Sequence, residues 1–242
     1  MNENDKKSII AENLVKIKQT IALAAEKSGR NPKDITLVAV TKTIEPQYLI
    51  EAQKLGINHF GENRAQEMLT KMQSLENNPE FSSKDAQWHM IGHIQRNKIK
   101  MIADKVSMIH SLDSFRLAEE IGKFAKSREI IVDVLIEINI ANEPSKFGIS
   151  PMDAVEFAAT LQKLENIRLR GLMCVAPYVE IAERNRIYFQ LMSEIMLDIK
   201  RNVPHNEYMT VLSMGMTNDY EIAIEEGAGV IRIGTGLFGG RL

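Results

Sequence analysis

The sequence predicts a single (β/α)8 barrel with one extra helix in front of it. Short β-rich runs alternate with helical segments along all 242 residues, and about eight strands can be distinguished. Strands that alternate with helices pair in parallel through right-handed crossovers. A doubly wound sheet also fits this alternation, but eight units in roughly 200–250 residues favour the barrel. Because no linker rich in Pro, Gly or Ser interrupts the pattern, we expect one domain over residues 1–242.

The extra helix is predicted over Ser8–Lys27, where apolar residues recur at helical spacing until Gly29 and Pro32 end the segment. The first strand is ITLVAV over Ile35–Val40, an apolar run typical of a buried strand. The strands are expected over 35–40, 57–60, 88–91, 108–112, 131–140, 169–175, 208–212 and 230–233. The helices between them are expected over 45–55, 63–75, 95–103, 114–126, 151–164, 182–201 and 218–226.

The composition argues against several classes of protein. The formal net charge is -2 and the pI is about 6.3, so no charge excess points to nucleic acid as a partner. No apolar run reaches the ~18 residues that a membrane span needs. The charged start MNENDKKSII lacks the apolar core of a secretory signal. The single cysteine, Cys174, excludes an intrachain disulfide, and a cytoplasmic protein is the simplest interpretation.

Lys42 directly follows the first predicted strand, and the functional groups of barrels gather at the carboxyl ends of their strands. The apolar run Leu37–Val40 is expected to desolvate its ammonium. A desolvated lysine supplies the neutral amine that attacks an aldehyde. The alternative is a solvated lysine in an ordinary loop, and position alone leaves both interpretations open.

The glycine-rich segment IRIGTGLFGG includes the last predicted strand and continues beyond it. Glycines allow backbone N–H groups to approach a ligand closely, so the amides of Gly234, Thr235 and Gly236 are expected to cradle a phosphate. Barrels place phosphate sites in the loops after strands seven and eight. Ser213, at the end of the seventh strand, offers a hydroxyl to the same anion. The alternative is a flexible glycine-rich loop.

Arg232 lies two residues before Gly234, so in a strand the two share one face. If that face is the barrel interior, the guanidinium needs a partner. A pyridine nitrogen could accept its hydrogen bond, or a carboxylate such as Glu137 could pair with it, and both could hold at once.

Two other candidates are weaker. His89 and His93 have the i, i+4 spacing of metal ligands, but they belong to a predicted strand ending at glycine and no third ligand is near, so we do not expect a metal site. Cys174 is interpreted as a buried apolar thiol rather than a nucleophile.

Seven motifs in order along the chain then suggest a family. They are LVAVTKT (37–43), HFGENR (59–64), WHMIGHIQRNK (88–98), SKFGI (145–149), RGLMCVAP (170–177), LSMGMTNDYEIAI (212–224) and IRIGTGLFG (231–239). Together they resemble the YggS/PROSC family, the pyridoxal 5′-phosphate (PLP) homeostasis proteins. The resemblance runs from about Ile35 to Gly239. It departs at His93, where an apolar residue is expected.

The resemblance implies a PLP-binding barrel similar to the N-terminal domain of alanine racemase. By the match of motifs, Lys42 would be the Schiff-base lysine and Arg232 would face the pyridine nitrogen. Ser213 and the backbone of Gly234 and Thr235 would hold the phosphate.

Three further residues match the family with less specific roles. Asn63 and Met90 would lie beside the cofactor, and Lys146 would lie near the mouth of the pocket.

The implied function is binding, storage or delivery of PLP in vitamin B6 and amino-acid homeostasis, by a monomer or weak dimer, with apo PLP-dependent enzymes as recipients. A cation on the ring nitrogen weakens the electron sink, so no robust turnover is expected. The alternatives are a PLP-dependent amino-acid racemase, in which Cys174 or a tyrosine would serve as second base, and a Schiff-base aldolase that uses Lys42 without PLP.

Overall fold

In the computed structural model, which describes residues 3–240, eight parallel strands close into a barrel in chain order. The strands are β1 (Thr36–Val40), β2 (His59–Glu62), β3 (Gln87–Met90), β4 (Met108–Leu112), β5 (Val132–Ile138), β6 (Ile167–Cys174), β7 (Val211–Ser213) and β8 (Val230–Ile233). The barrel closes where β8 pairs with β1, which sets Arg232 opposite Val38. The predicted (β/α)8 barrel is confirmed.

Helices surround this sheet, and the predicted extra helix precedes β1. The helices are α1 (Glu3–Lys27), α2 (Pro46–Lys54), α3 (Ala65–Glu76), α4 (Ile99–Ile102), α5 (Phe115–Ser127), α6 (Ala154–Leu161), α7 (Arg186–Asn202), α8 (Tyr220–Glu225) and α9 (Thr235–Phe238). Short 3-10 segments at Pro32–Asp34, Arg96–Lys98, Pro151–Asp153 and Ala182–Asn185 replace parts of the helices or loops that the sequence predicts. Within residues 3–240, no helix combines the length and apolarity needed to cross a bilayer.

The first helix begins at Glu3 instead of Ser8, and two further differences from the predicted elements lie around β7 and after β8. Strand β7 spans Val211–Ser213 instead of 208–212, because the backbone at Met209 turns back to bond Asn206 before the chain pairs with β6. The helix α9 was not predicted, because the sequence GTGLFGG is typical of a loop.

The first helix binds the last part of the barrel. The Nδ2 of Asn13 donates to the carbonyl oxygen of Leu237 in α9 at 3.1 Å. The guanidinium of Arg30 donates to the carbonyl oxygens of Ile224 and Ala228 at 3.2 and 2.7 Å. Helix α1 and the turn that follows it therefore support the segment that carries β8 and α9.

Strand alternation sorts side chains between the barrel interior and the helix layer. In the register of β2 and β3, Gly61 lies opposite His89, and Phe60 lies opposite Trp88. The rings of Phe60 and Trp88 pack 5.6 Å apart, centroid to centroid, in the buried apolar core. His89 is hydrogen bonded to histidines of two other strands, so its face is the interior one.

Candidate functional site

The carboxyl ends of the strands form the mouth of the barrel, and Lys42 lies there in a tight turn after β1. The N–H of Ile44 donates to the carbonyl oxygen of Thr41 at 2.9 Å, which closes a four-residue turn with Lys42 and Thr43 at its centre. Thr43 has φ +63°, a conformation that β-branched residues rarely adopt. The side chain of Lys42 is exposed, so the expected apolar surroundings of its ammonium are wrong. The preceding residue, Thr41, is fully buried instead.

A buried lysine of α3 anchors this turn. The Nζ of Lys71 donates to the carbonyl oxygen of Thr41 at 2.6 Å, to Oε1 of Glu62 at 2.6 Å and to Oε1 of Glu67 at 2.7 Å. Glu67 Oε1 also accepts the N–H of Thr43 at 2.5 Å. The backbone on both sides of Lys42 is thus tied to one ion cluster. We call Glu62, Glu67 and Lys71 the turn anchor.

The loop after β2 carries Asn63, whose buried Oδ1 has no hydrogen-bond partner within the described chain. Gly92, after β3, lies against it: a Cβ at Gly92 would approach the Asn63 carbonyl oxygen to 2.5 Å and its Cα to 2.8 Å. Only glycine permits this approach. An unpartnered acceptor at the mouth can take a donor from a ligand.

Met90 does not share the interior face of β3. His89 faces the interior, so alternation turns the fully buried Met90 toward the helices, beside the outward-facing Glu62 of β2. The next residue, Ile91, lies two positions after His89 and so faces the interior. Its Cδ1 would lie 3.1 Å from a Cβ at Gly61. The placement of Met90 beside a ligand stays a prediction, and Ile91, directly after β3, is the neighbour that shares the interior face with His89.

Arg232 lies in the interior on β8 and is 3 % exposed. Its NH1 donates to Oγ of Ser213 at 2.6 Å, and its NH2 donates to the carbonyl oxygen of Cys174 at 2.7 Å. The face that Arg232 shares with Gly234 is therefore the interior one, and the guanidinium is held by neutral acceptors on β6 and β7 rather than by the alternative ion pair with Glu137. Burial raises the pKa of the Cys174 thiol to about 12, so it cannot serve as a base near neutral pH.

Ser213 lies deeper than the sequence suggests. It is fully buried on β7, and its hydroxyl contacts Arg232 and His110 rather than the glycine-rich loop. Its expected role as the phosphate hydroxyl stays a prediction, since both contacts of this hydroxyl point into the barrel. The side chain of Thr217, in the loop that follows β7, is a second hydroxyl near the glycine-rich segment.

Thr217 contacts the glycine-rich segment directly. Its Oγ1 accepts the N–H of Gly236 at 3.1 Å and lies 3.4 Å from Oγ1 of Thr235. A Cβ at Gly236 would come within 2.8 Å of the Thr217 methyl, so glycine is needed there. Gly234 precedes α9 as its N-cap residue. This cluster of hydroxyls and amides is the chemical surface that an anion such as phosphate requires.

Glu137, near the end of β5, is an interior carboxyl that the sequence analysis considered only as a partner for Arg232. Its Oε2 is buried and has no hydrogen-bond partner within residues 3–240. Burial and the nearby negative charge of Asp113 raise its pKa to about 7, against the opposing effect of Arg232. Glu137 therefore carries a proton for a large part of the time near neutral pH.

The two histidines with metal-ligand spacing are separated by the fold. His89 lies in the interior, between His59 and His110. His93 lies at the mouth, where its Nδ1 is 2.8 Å from a carboxylate oxygen of Asp113 and its ring stacks on Phe147 at 3.8 Å.

Lys146 lies in the loop after β5 and is paired. Its Nζ donates to Oε1 of Glu143 at 2.6 Å. Asn139 folds the loop by donating to the carbonyl oxygens of both residues, at 2.8 and 3.3 Å. Because Asn139 directly follows the end of β5 at Ile138, this loop begins at the mouth of the barrel.

Sequence reasoning missed Lys71, Thr217 and the interior histidines as site components. Lys71 had a signal, because Glu67 and Lys71 have the i, i+4 spacing of a helical ion pair. Thr217 lies in the motif LSMGMT, but choosing the threonine over the serine requires knowing where β7 ends.

Known proteins share the fold of this chain. The family model described as "Alanine racemase, N-terminal domain" matches residues 13–242. The pyridoxal phosphate homeostasis protein of Aquifex aeolicus is 40 % identical over 230 residues, which cover 95 % of this chain and 97 % of that protein. The protein of the same description from Escherichia coli (strain K12) is 36 % identical over 233 residues, covering 96 % and 97 %.

Solved structures agree. PipY from Synechococcus elongatus PCC7942, with PLP bound, has a TM-score of 0.81 at 31 % identity, and the match covers 95 % of this chain and all of that one. An alanine racemase from Clostridium difficile 630 has a TM-score of 0.67 at 16 % identity, covering 97 % of this chain and 57 % of that one. The racemase supports the fold alone.

Proposed function

Because the chain belongs to the family of pyridoxal phosphate homeostasis proteins, we propose that it binds PLP covalently through Lys42 and holds it as a carrier or reservoir. PLP supplies an aldehyde that condenses with a primary amine with loss of one water. Lys42 offers that amine from a turn whose backbone is fixed on both sides. This fixed, exposed amine at the mouth of the barrel is the observation that carries the proposal.

The residues around the mouth fit the remaining parts of PLP. Thr217 with the backbone of Gly234, Thr235 and Gly236 would hold the phosphate. The buried and unpartnered Oδ1 of Asn63 fits a hydroxyl donor of the ring. An apolar edge of the PLP ring would fit against Ile91 better than against Met90, because alternation along the strand turns Ile91 toward the interior and Met90 toward the helices.

Arg232 would meet the pyridine nitrogen, and this choice of partner limits the chemistry. A guanidinium cannot accept a proton from the ring nitrogen, so the ring would be a weaker electron sink than one paired with a carboxylate. Cys174 is excluded as a second base by its raised pKa. These residues support holding PLP over amino-acid turnover.

A carrier also needs a destination for its ligand. We propose that apo forms of PLP-dependent enzymes receive it, that one domain over residues 1–242 does the binding, and that the protein acts in the cytoplasm as a monomer or weak dimer. The exposure of Lys42 supports release, because the covalent bond is then within reach of water or of an acceptor's amine.

The test loads the purified protein with PLP, reduces it with borohydride and maps the pyridoxyl group by peptide mass spectrometry. We expect the label on Lys42, with visible absorbance lost in Lys42→Ala and retained in Lys146→Ala. Label mainly on Lys146 or Lys71 would overturn the assignment. Transfer is tested by mixing loaded protein with an apo-enzyme in the presence of a phosphatase that destroys free PLP. Activation no faster than with free PLP would reject the carrier role.

A further inference from the structure

A column of hydrogen-bonded rings crosses the barrel interior from the amino ends of the strands toward the mouth. Nδ1 of His59 lies 2.9 Å from Nε2 of His89, and Nδ1 of His89 lies 2.9 Å from Nε2 of His110. Nδ1 of His110 lies 3.0 Å from Oγ of Ser213, which accepts from Arg232. We call His59, His89 and His110 the histidine column.

The two inner rings are neutral in the folded protein. Burial, with the nearby His59, lowers the pKa of His89 to about 3. Burial, with His89 and Arg232 nearby, lowers the pKa of His110 well below its usual range. A neutral imidazole has one N–H and one acceptor nitrogen. Each ring can therefore donate in only one direction along the column, and the directions of neighbouring rings must agree.

Counting donors selects one of the two directions. Within the described chain, Ser213 Oγ has two partners, and Arg232 can only donate to it. If His110 also donated to Ser213, the hydroxyl proton would have no acceptor, and a buried unpaired donor costs about 1–3 kcal/mol. If Ser213 donates to His110 Nδ1, every N–H in the column finds an acceptor up to His59, which is half-buried and reaches solvent.

We propose that the histidine column fixes the Ser213 hydroxyl as a donor toward His110 and so keeps its lone pairs turned to Arg232. The column then acts on the site from the barrel interior, because it positions the guanidinium of Arg232 that would meet the ring of PLP. Its members are positioning residues. The direction of the column rests on the contacts and on the neutral state of its two buried rings, whereas its effect on the ligand rests on the proposed function.

The direction is measured by ¹⁵N–¹H correlation spectra of the imidazoles in the wild-type protein without PLP. We expect His89 and His110 to carry their proton on Nε2, with Nδ1 as acceptor. A proton on Nδ1 of His110 would overturn the proposal. This measurement needs no variant and no ligand, so it stands even if the proposed function fails.

The positioning effect is measured with two variants of one residue. In His110→Asn, the amide oxygen can occupy the place of Nδ1 and accept from Ser213, whereas His110→Phe keeps the ring volume and removes the acceptor. We expect His110→Phe to weaken binding of PLP about tenfold or more, as for a lost hydrogen bond to a site built around a charge, and His110→Asn to lose clearly less. A role in packing alone predicts the reverse order.

Two readouts separate the failures. If the wild-type protein binds neither PLP nor pyridoxal, the proposed function is rejected, and the direction of the column is then tested by the histidine tautomers alone. Wild-type protein that binds PLP, with equal affinities in His110→Phe and His110→Asn, rejects the positioning effect. Where His110→Phe fails to fold, Ser213→Ala replaces it, because it removes the same hydrogen bond from the other side; unchanged PLP affinity in Ser213→Ala then rejects the effect.

Discussion

Lys71 Nζ lies 2.6 Å from the carbonyl oxygen of Thr41, so the buried lysine of α3 holds the residue that precedes the exposed Lys42. The same ammonium pairs with Glu62, which is fully buried and whose pKa is raised by that burial despite the pairing. The two lysines have different roles: Lys71 is buried and fixes the turn, and Lys42 is exposed on that turn.

We expect Lys71→Met to lower the free energy of unfolding by about 3–5 kcal/mol, because it leaves the Glu62 carboxylate buried without its cation. The matched control is Lys54→Met, which removes exposed pairs to Glu51 and Glu80 and should cost no more than about 1 kcal/mol. Urea unfolding measures both. Equal losses in the two variants would contradict the role of the turn anchor.

The double variant Lys71→Met with Glu62→Gln tests the same anchor further. Removing the buried charge together with its partner should recover part of the lost stability. The rate at which Lys42 reacts with PLP should be lower than in the wild type in both Lys71→Met and the double variant, because both lack the hydrogen bond from Lys71 to the carbonyl oxygen of Thr41. A reaction rate that recovers fully with stability would show that the tie to Thr41 has no effect on Lys42.

Thr217→Val should weaken binding of PLP by about 1–3 kcal/mol while leaving pyridoxal, which lacks the phosphate, nearly unchanged. Ser213→Ala should weaken both vitamers, because Ser213 contacts Arg232 and lies away from the glycine-rich loop. Titrations of each variant with each vitamer give the four affinities. If Ser213→Ala affects PLP alone, Ser213 is the phosphate ligand after all.

Glu137 makes stability depend on pH. Its pKa rises from 4.5 to about 7 on folding because the carboxyl is buried. Between these values the unfolded chain loses the proton while the folded chain keeps it, so this contribution to stability falls as pH rises and levels off above about pH 7. We expect Glu137→Gln to be more stable than wild type by about 1–3 kcal/mol at pH 8.

The advantage of Glu137→Gln should disappear below about pH 4.5, where both states of the wild-type carboxyl are protonated. Urea unfolding at pH 4, 6 and 8 measures it, with Glu165→Gln as the control at an exposed position. A difference from wild type that is the same at all three pH values would refute the link to this proton.

PLP-loaded protein should not exchange or racemise amino acids at an ordinary enzyme rate. Arg232 would make the PLP ring a weaker electron sink. General acid–base catalysis is worth roughly 10²–10⁴-fold in rate, and the raised pKa of Cys174 makes it unsuitable as the base. Incubation with each L-amino acid in D₂O, followed by NMR of the α-proton and chiral analysis, measures turnover. A rate of about 1 s⁻¹ or faster would favour the racemase alternative.

The repeating pattern of the sequence was enough to predict the barrel, its extra helix and the strand face that Arg232 shares with Gly234. Each of these depends on local periodicity or on counting two residues along a strand. The last strand was predicted with the bounds Val230–Ile233 that the structure has. The proposed role of Lys42 depended in the same way on its place after an apolar strand.

The orientations of Met90 and Ser213 were not predictable from their motifs. Both depend on which face of the strand a residue occupies and on where the strand ends, and a shift of one residue turns a side chain to the opposite face. The histidine column was beyond sequence reasoning for a related reason. His59, His89 and His110 stand on three neighbouring strands, and their contacts depend on the stagger between strands, which no local pattern encodes.

The contact between α1 and α9 bears on how the protein is made. Asn13 and Leu237 are 224 residues apart in sequence. The sheet can close only when β8 is available to pair with β1. On the ribosome, the nascent chain has two open sheet edges until its last strand emerges, which is a state prone to aggregation. Contacts between such distant segments also slow folding. Since the proposed phosphate loop follows β8, the ligand can be captured only after synthesis of the barrel is complete, and it would stabilise that closed form by mass action.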